Sequence, residues 1–223
     1  MIEDILTQLK SVEPQYELTL PFSKKKVQYK PFKIKDQKIL TLIAEETNIG
    51  LLLKQLCEVI KNCSSEKTPE QLYLCDFEYL FLKIRSKSVE EKIHLIIETD
   101  VKKKVTINID DIQYKDGKVK QQIIENDDII LELTYPKVKD YFDLETIDVE
   151  FLFSKIISSI SIKKQKYDLT LIKSGEMQKL IDNISVNNAN KFQEFIQQGP
   201  SLKYTIETDS EPIILEGFLR FFT

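Results

Sequence analysis

The stretch DFEYLFLKIRSKSVEE, residues 76–91, decides the fold of this chain. Within a few residues, large apolar side chains fall on nearly every side of a helix, namely Phe77, Tyr79, Leu80, Phe81, Leu82 and Ile84. A helix that is apolar on most of its circumference must be buried. Upstream, Thr68 and Gln71 match a capping box, and Pro69 suits the first helical position. We therefore predict a central helix from Pro69 to about Ser86, followed at once by strands.

Length and composition indicate a folded protein rather than a disordered one. The 223 residues suffice for one large or two small domains, and 42% of them are hydrophobic. Lys and Arg number 32 against 36 Asp and Glu, a net charge of −4, which argues against a surface built for nucleic acid. Lysine-rich runs at 24–26, 102–104 and 163–166 are typical of solvated turns. We expect no nucleic-acid partner.

The sequence gives little support for a nucleotide-binding, secreted or membrane-spanning protein. Five glycines form neither a G-x-G-x-x-G nor a Walker pattern, so we expect no nucleotide cofactor. The opening MIEDILTQLK is not typical of a secretory signal, and no apolar run approaches the ~18 residues of a membrane span. We expect a soluble protein with no membrane partner.

The cysteines and the single histidine give little sign of chemistry. Cys57, Cys63 and Cys75 are an odd number, typical of reduced thiols, and neither a C-x-x-C pair nor a second histidine offers a zinc site. His94 lies in an alternating segment and is predicted to be a plain strand residue. Cys75 beside Asp76, together with His94, leaves a small hydrolase as a remote alternative. We predict no catalytic, cofactor-binding or metal-binding residues.

The first third of the chain predicts helices and one hairpin. A short helix before Pro14 is indicated by helical spacing of Ile2, Ile5, Leu6 and Leu9. Alternation at 17–22 and 27–29 predicts a hairpin. Asp36 is the predicted N-cap of the next helix. Asn48 is predicted to break the chain before a further helix, and the helices are expected to pack as one antiparallel cluster.

The period then changes to that of strands. Segments 93–99 and 105–109 predict one hairpin, and 119–124 and 129–135 predict a second. We expect the two hairpins to form one four-stranded, mainly antiparallel sheet. Beyond residue 143, the expected elements are helices at 147–161, at 176–183 and from about 187, and strands at 167–172, 202–207 and 212–215.

These elements predict an α+β fold, in which a helical cluster packs with a mainly antiparallel β-sheet and a smaller helix–strand part follows. We expect residues 1–30 to form an N-terminal arm or helix-hairpin. Residues 31–140 are expected to form the helical cluster and the sheet. Residues 141–223 are expected to form a C-terminal α+β part packed on the same core.

Several stretches together carry a resemblance to a known family. The most specific is Phe77-Glu78-Tyr79-Leu80 followed by the K-x-R-x-K-S-V run at 83–89. The other matching stretches are Tyr29–Phe32, Glu45-Glu46, Leu56–Cys63, Ile109–Asp111, Tyr135-Pro136, Phe192, Phe195, Pro200 and Phe221-Phe222. Over about residues 29–223 the chain resembles the baseplate hub and hub-assembly proteins of T-even-type contractile-tailed bacteriophages. Some relatives carry a C-x-x-C pair in the turn after the strand that corresponds to the segment starting at Ile93. That turn, 99–103, has no cysteine here, so the resemblance implies no metal knuckle.

The resemblance implies a non-enzymatic phage tail protein that binds other tail proteins in building the baseplate hub at the tail tip. The alternative is a transient hub-assembly chaperone that is absent from the mature virion. The expected location is the tail baseplate of the virion, and the host cytoplasm during assembly, with a possible oligomer in the symmetric tail. The predicted partner-binding residues are Arg85, Lys87, Phe218, Phe221 and Phe222. For Arg85 and Lys87 a second reading stays open, in which they only terminate the helix. For the aromatic tail at 217–222 the alternative is that it docks into the core.

Overall fold

A computed structural model describes residues 2–43, 46–98, 102–126, 128–144, 154–170, 172, 174–207 and 212–217. The protein has an α+β fold, as predicted. Its helices are α1 (Ile2–Ser11), α2 (Ile34–Ile43), α3 (Ile49–Cys63), α4 (Leu74–Ser88), α5 (Ser174–Ile181) and α6 (Val186–Gln197). Its strands are β1 (Tyr16–Thr19), β2 (Lys26–Tyr29), β3 (Lys92–Glu98), β4 (Lys102–Asn108), β5 (Gln113–Lys115), β6 (Lys120–Asn126), β7 (Ile129–Thr134), β8 (Ile157–Ile162), β9 (Gln165–Asp168), β10 (Ser201–Ile206) and β11 (Ile213–Glu216).

Helix α4 is buried on most sides because it lies between two apolar clusters. One side packs with α3 and the β1–β2 hairpin through Phe77, Leu80, Phe81 and Ile84. Leu82 packs on the other side with β3, β4, β10 and β11. Fully burying a side chain of this size contributes roughly 1.5–3 kcal/mol. The prediction of a central buried helix is confirmed.

The predicted start of that helix is wrong. A 3₁₀ turn covers Pro69–Gln71, and α4 begins only at Leu74. The capping box fails because the Thr68 hydroxyl donates to Oε1 of Glu66 (3.2 Å) and makes no cap bond. Leu72 then takes an extended conformation, which separates the turn from the helix.

One helix start was assigned to the wrong residue, and the break predicted at Asn48 is present. Asp36, the predicted N-cap, lies inside the first turn of α2, where its Oδ2 accepts from the backbone N–H of Lys33 (3.0 Å). Asn48 caps the following helix, because its Oδ1 accepts from the N–H of Leu51 (2.9 Å). Side chains of α2, α3 and α4 meet in one apolar cluster, which confirms that these helices pack together.

The strand pairs in the described residues are antiparallel and form four sheets, β1–β2, β3–β4, β6–β7–β8–β9 and β11–β10–β5. Both predicted hairpins are present, with Ile93 opposite Ile107 and Ile123 opposite Leu131. The prediction that the two hairpins form one sheet is wrong, since β7 pairs with β8 instead. The lysine run 102–104, predicted as a turn, opens β4, and charge on such an edge strand opposes pairing with another chain.

The predicted helix at 147–161 is wrong over residues 157–161. Residues 154–156 are helical, but Ile157–Ile162 is strand β8, and 147–153 lie outside the described residues. Helices α5 and α6 and strands β10 and β11 are confirmed, whereas β9 is shorter than expected and lies at 165–168. The short strand β5, which was not predicted, pairs with β10.

A third apolar cluster joins the β6–β7–β8–β9 sheet to α5 and α6. It includes Ile123, Leu131, Met177, Phe192 and Phe195. Gly199, after α6, lies so close to the ring of Tyr135 that a Cβ atom there would overlap it. The division into residues 1–30, 31–140 and 141–223 stays a prediction.

Candidate partner-binding surface

The chain leaves the core where α4 ends, and we call residues 83–92 the α4 exit. The last turn is closed by the N–H of Val89, which donates to the carbonyl of Arg85 (3.0 Å). The Ser88 hydroxyl donates to the carbonyl of Ile84 and accepts from the N–H of Phe32 (2.9 Å). This serine therefore ties the exit to the segment that leads into α2.

Arg85 braces this turn from within. Its Nη1 donates to the carbonyl of Lys92 (3.2 Å) and lies 3.5 Å from the carbonyl of Glu90. Burial lowers the pKa of the guanidinium from its ordinary value, and the Glu90 carboxylate opposes that shift. These contacts fit the helix-terminating reading of Arg85, and a role in partner binding stays a prediction.

Lys87 is exposed and faces the N-terminal hairpin. Its Nζ lies 2.6 Å from Oε1 of Glu91 and 5.8 Å from the centre of the Tyr16 ring. The rings of Tyr16 and Tyr29 are 5.4 Å apart, so Lys87 lies beside an aromatic pair. The hydrogen bond with Glu91 raises the pKa of Lys87, which keeps it charged.

Lys83, one turn before Lys87, faces the same side of α4. It forms an ion pair with Asp110, whose pKa falls below its usual range because of the hydrogen bond from Lys83. Its Nζ also lies 5.4 Å from the centre of the Tyr79 ring. The exit thus presents cations held between carboxylates and tyrosine rings, an arrangement that can receive both polar and aromatic groups of another protein.

Phe218, Phe221 and Phe222, the other predicted partner-binding residues, lie outside the described residues. The described chain ends at Gly217, whose N–H donates to the carbonyl of Leu202 (3.1 Å). Their part in partner binding stays a prediction.

The residues that suggested hydrolase chemistry lie in different environments. Cys75 is buried in the first turn of α4, and burial raises the pKa of its thiol. His94 lies on strand β3, as predicted, and is exposed, with Nδ1 3.0 Å from the Thr106 hydroxyl and Nε2 3.4 Å from the Glu90 carboxylate. A buried, protonated thiol is a poor nucleophile. The geometry gives the hydrolase reading no support.

The described part of the chain contains neither a cluster suited to a metal ion nor a helix suited to crossing a membrane. There, no group of three His, Cys, Asp or Glu residues is placed to hold a metal ion. Among the same residues, no helix has both the length and the apolar character to cross a membrane.

Sequence reasoning missed three buried carboxylates that fix the elements around the exit. Asp76 is fully buried and accepts from the N–H groups of Phe22 (2.8 Å) and Ser23 (2.9 Å) in the β1–β2 turn. Asp36 accepts from Asn62, which ties α2 to the end of α3. Glu66 is buried, which raises its pKa, but hydrogen bonds from Lys25 and Thr68 outweigh this and lower the pKa. For Asp36 and Asp76, their position in the first helical turn was the available signal, and it does not reveal a distant partner. Glu66 lies between two helical elements and gave no such signal.

Comparison with known proteins places these observations in a family. The family model described as "T4 bacteriophage base plate protein" matches residues 13–223. The chain belongs to this family. The match confirms the resemblance at the level of the base plate, and it implies a structural role in the phage tail and a location in the virion tail. Such membership suggests a role without catalysis. No curated protein and no solved structure matches the chain.

Proposed function

We propose that this base plate protein is a non-enzymatic part of the tail tip that binds other tail proteins in building the baseplate hub. The family match over residues 13–223 carries the proposal. The α4 exit offers a surface on which such binding can occur. We include no nucleic-acid and no membrane partner, and we place the protein in the host cytoplasm during assembly and in the virion afterwards.

The α4 exit suits this role because it is held in place before any partner arrives. Asp76 fixes the turn of the β1–β2 hairpin, and that hairpin carries the tyrosine pair beside Lys87. Arg85 and Ser88 fix the exit itself. A surface ordered in advance loses little conformational entropy on binding. We therefore assign the contact to Lys83, Lys87 and Tyr16, and a supporting role to Arg85.

The test is co-expression with the tail-tip proteins of the same phage, followed by affinity purification and size-exclusion chromatography. We expect the chain to co-migrate with at least one of them, and Lys87→Ala to weaken that complex at least about fivefold, roughly 1 kcal/mol. Lys166→Ala is the matched control, because Lys166 is also exposed and paired, with Glu132 at 2.6 Å, but on strand β9.

Mass spectrometry and imaging of finished particles complete the test. Presence at the tail tip fits the proposal. A chain found in assembly intermediates but missing from finished particles would instead be an assembly chaperone. If the wild-type chain binds no tail protein and occurs in neither, the proposal is wrong.

A further inference from the structure

The N-terminal helix α1 presents an apolar face to solvent. The spacing of three or four residues puts four aliphatic side chains on one side of the helix and its end. Their exposed fractions are 73% for Ile2, 51% for Ile5, 55% for Leu9 and 76% for Val12, just beyond the helix. We call these four side chains the α1 face.

The α1 face lies apart from the apolar clusters that the described residues form. Among the described residues, none of the three apolar clusters includes a side chain of α1. The helix is nevertheless attached at a defined point, because Glu13 forms ion pairs with Lys30 (2.7 Å) and with Lys33. An apolar face beside a fixed attachment point is typical of an interaction element.

We propose that α1 is a docking helix whose face inserts into an apolar groove of a different tail protein. This rests on the proposed function and names one surface and the kind of partner it fits. Short amphipathic helices bind in this manner, with anchors one turn apart seated in a hydrophobic groove.

Two other occupants fit the face less well. The four side chains expose on the order of 500 Å², below the ~800 Å² that each partner of a stable interface buries, so a flat pairing of two α1 helices is too small. A groove buries more, because it also encloses the flanks of the helix. Helices that lie on membranes carry Lys and Arg on their polar face. The sequence of α1 contains one lysine, Lys10, and two acidic residues, Glu3 and Asp4, so it lacks this excess of positive charge.

The family match begins at residue 13, immediately after this element. The matched residues therefore do not include α1. A docking helix before them would add a contact to whatever the body binds.

The experiment measures binding of the full chain to each tail-tip protein of the same phage, expressed singly, by biolayer interferometry. The variant I5Q/L9Q removes the centre of the face while keeping residues of strong helix propensity. We expect it to weaken one of these complexes at least about tenfold. The matched control is I34Q/L42Q, which changes two aliphatic side chains on α2 that are 78% and 79% exposed, and it should stay within about twofold of wild type.

Each outcome has a distinct meaning. If a tail protein binds wild type and I5Q/L9Q equally, the docking helix is wrong and the proposed function stands. If no tail protein binds wild type, the proposed function fails as well. A concentration-dependent dimer that I5Q/L9Q abolishes, seen by light scattering, assigns the face to a second copy and overturns the proposal. A truncated chain that ends at Gly217 provides one more test. If it binds a hydrophobic dye more strongly than wild type, and I5Q/L9Q removes this extra binding, the chain's own tail covers the face and the proposal is overturned.

Discussion

The substitution Asp76→Ala tests how the body supports the α4 exit. The Asp76 carboxylate is fully buried at the start of α4, and each of its oxygens accepts one backbone N–H, from Phe22 at 2.8 Å and from Ser23 at 2.9 Å. These are the bonds that hold the β1–β2 turn against the helix. Alanine removes both acceptors and supplies nothing in their place.

The expected cost follows from the burial of each donor. A hydrogen bond to a charged group contributes about 1.5–3 kcal/mol, and a buried donor left unpaired costs about 1–3 kcal/mol. Ser23 is exposed, so water can satisfy its N–H, whereas Phe22 is half-buried. We therefore expect Asp76→Ala to lower the free energy of unfolding by about 3 kcal/mol, which is roughly 6–12 °C in Tm for a chain of this length.

Urea and thermal denaturation followed by circular dichroism measure this loss. The matched control is Asp168→Ala, because Asp168 also accepts two bonds, from the N–H (2.9 Å) and hydroxyl (2.7 Å) of Thr170, but is exposed. It should cost less than about 0.5 kcal/mol, as surface substitutions usually do. Equal losses for the two variants, or a loss below about 0.5 kcal/mol for Asp76→Ala, would refute the argument that this buried carboxylate holds the hairpin.

Three further outcomes are expected. Hydrogen bonds from Lys30 and Lys33 lower the pKa of Glu13 to about 2. The contact therefore stabilises the fold fully above the ordinary pKa of 4.5, and this stabilisation is lost as the pH falls through about 2. NMR of the Glu13 carboxyl should show the low titration midpoint, and the variant K30M/K33M should raise that midpoint. Gly199→Ala, which forces a methyl group into an aromatic ring, should cost about 1–3 kcal/mol in urea denaturation, whereas Gly175→Ala, with no atom within 4 Å of the new Cβ, should not destabilise. The three cysteines are buried, and burial raises the pKa of each thiol, to about 12 for Cys57 and Cys63. A thiol reagent at pH 8 should therefore label them only in denaturant. Rapid labelling of the native chain would contradict this.

The sequence allowed prediction of elements whose signal is local. The buried helix around Phe77–Ile84 and the hairpin that pairs Ile93 with Ile107 depend on periodicity within a few residues, and both are confirmed. Strand β8 was misread because Ile156 and Ile160 are spaced as in a helix. The edge of β7 is available to pair with this segment, and such pairing overrides a weak local pattern.

Helix boundaries failed for a related reason. Thr68 and Asp36 have the residue types of caps, but their side chains act elsewhere. Thr68 bonds to Glu66, and Asp36 accepts from Lys33 and from Asn62 on another helix. A local motif shows which residue can cap a helix, and the partner that its side chain takes in the fold decides whether it does.

The candidate partner-binding surface could also be predicted only in part. Arg85 and Lys87 could be named from the sequence because they follow a run that must be buried, at the place where the chain has to reach solvent. Their different roles could not be predicted, since Arg85 turns to the backbone at Lys92 and Lys87 lies beside Tyr16, more than sixty residues away in sequence.

The position of α4 between two apolar clusters limits where this body can bind a partner through its central helix. Side chains in the middle of α4 are committed to packing, so only its two ends can differ in polarity without loss of the core. The first turn is occupied by Asp76, which holds the hairpin, and this leaves the exit with Lys83 and Lys87. Substitutions at Asp76 and at Lys87 should therefore have different effects. A substitution at Asp76 should change both the stability of the fold and partner binding, whereas one at Lys87 should change partner binding alone.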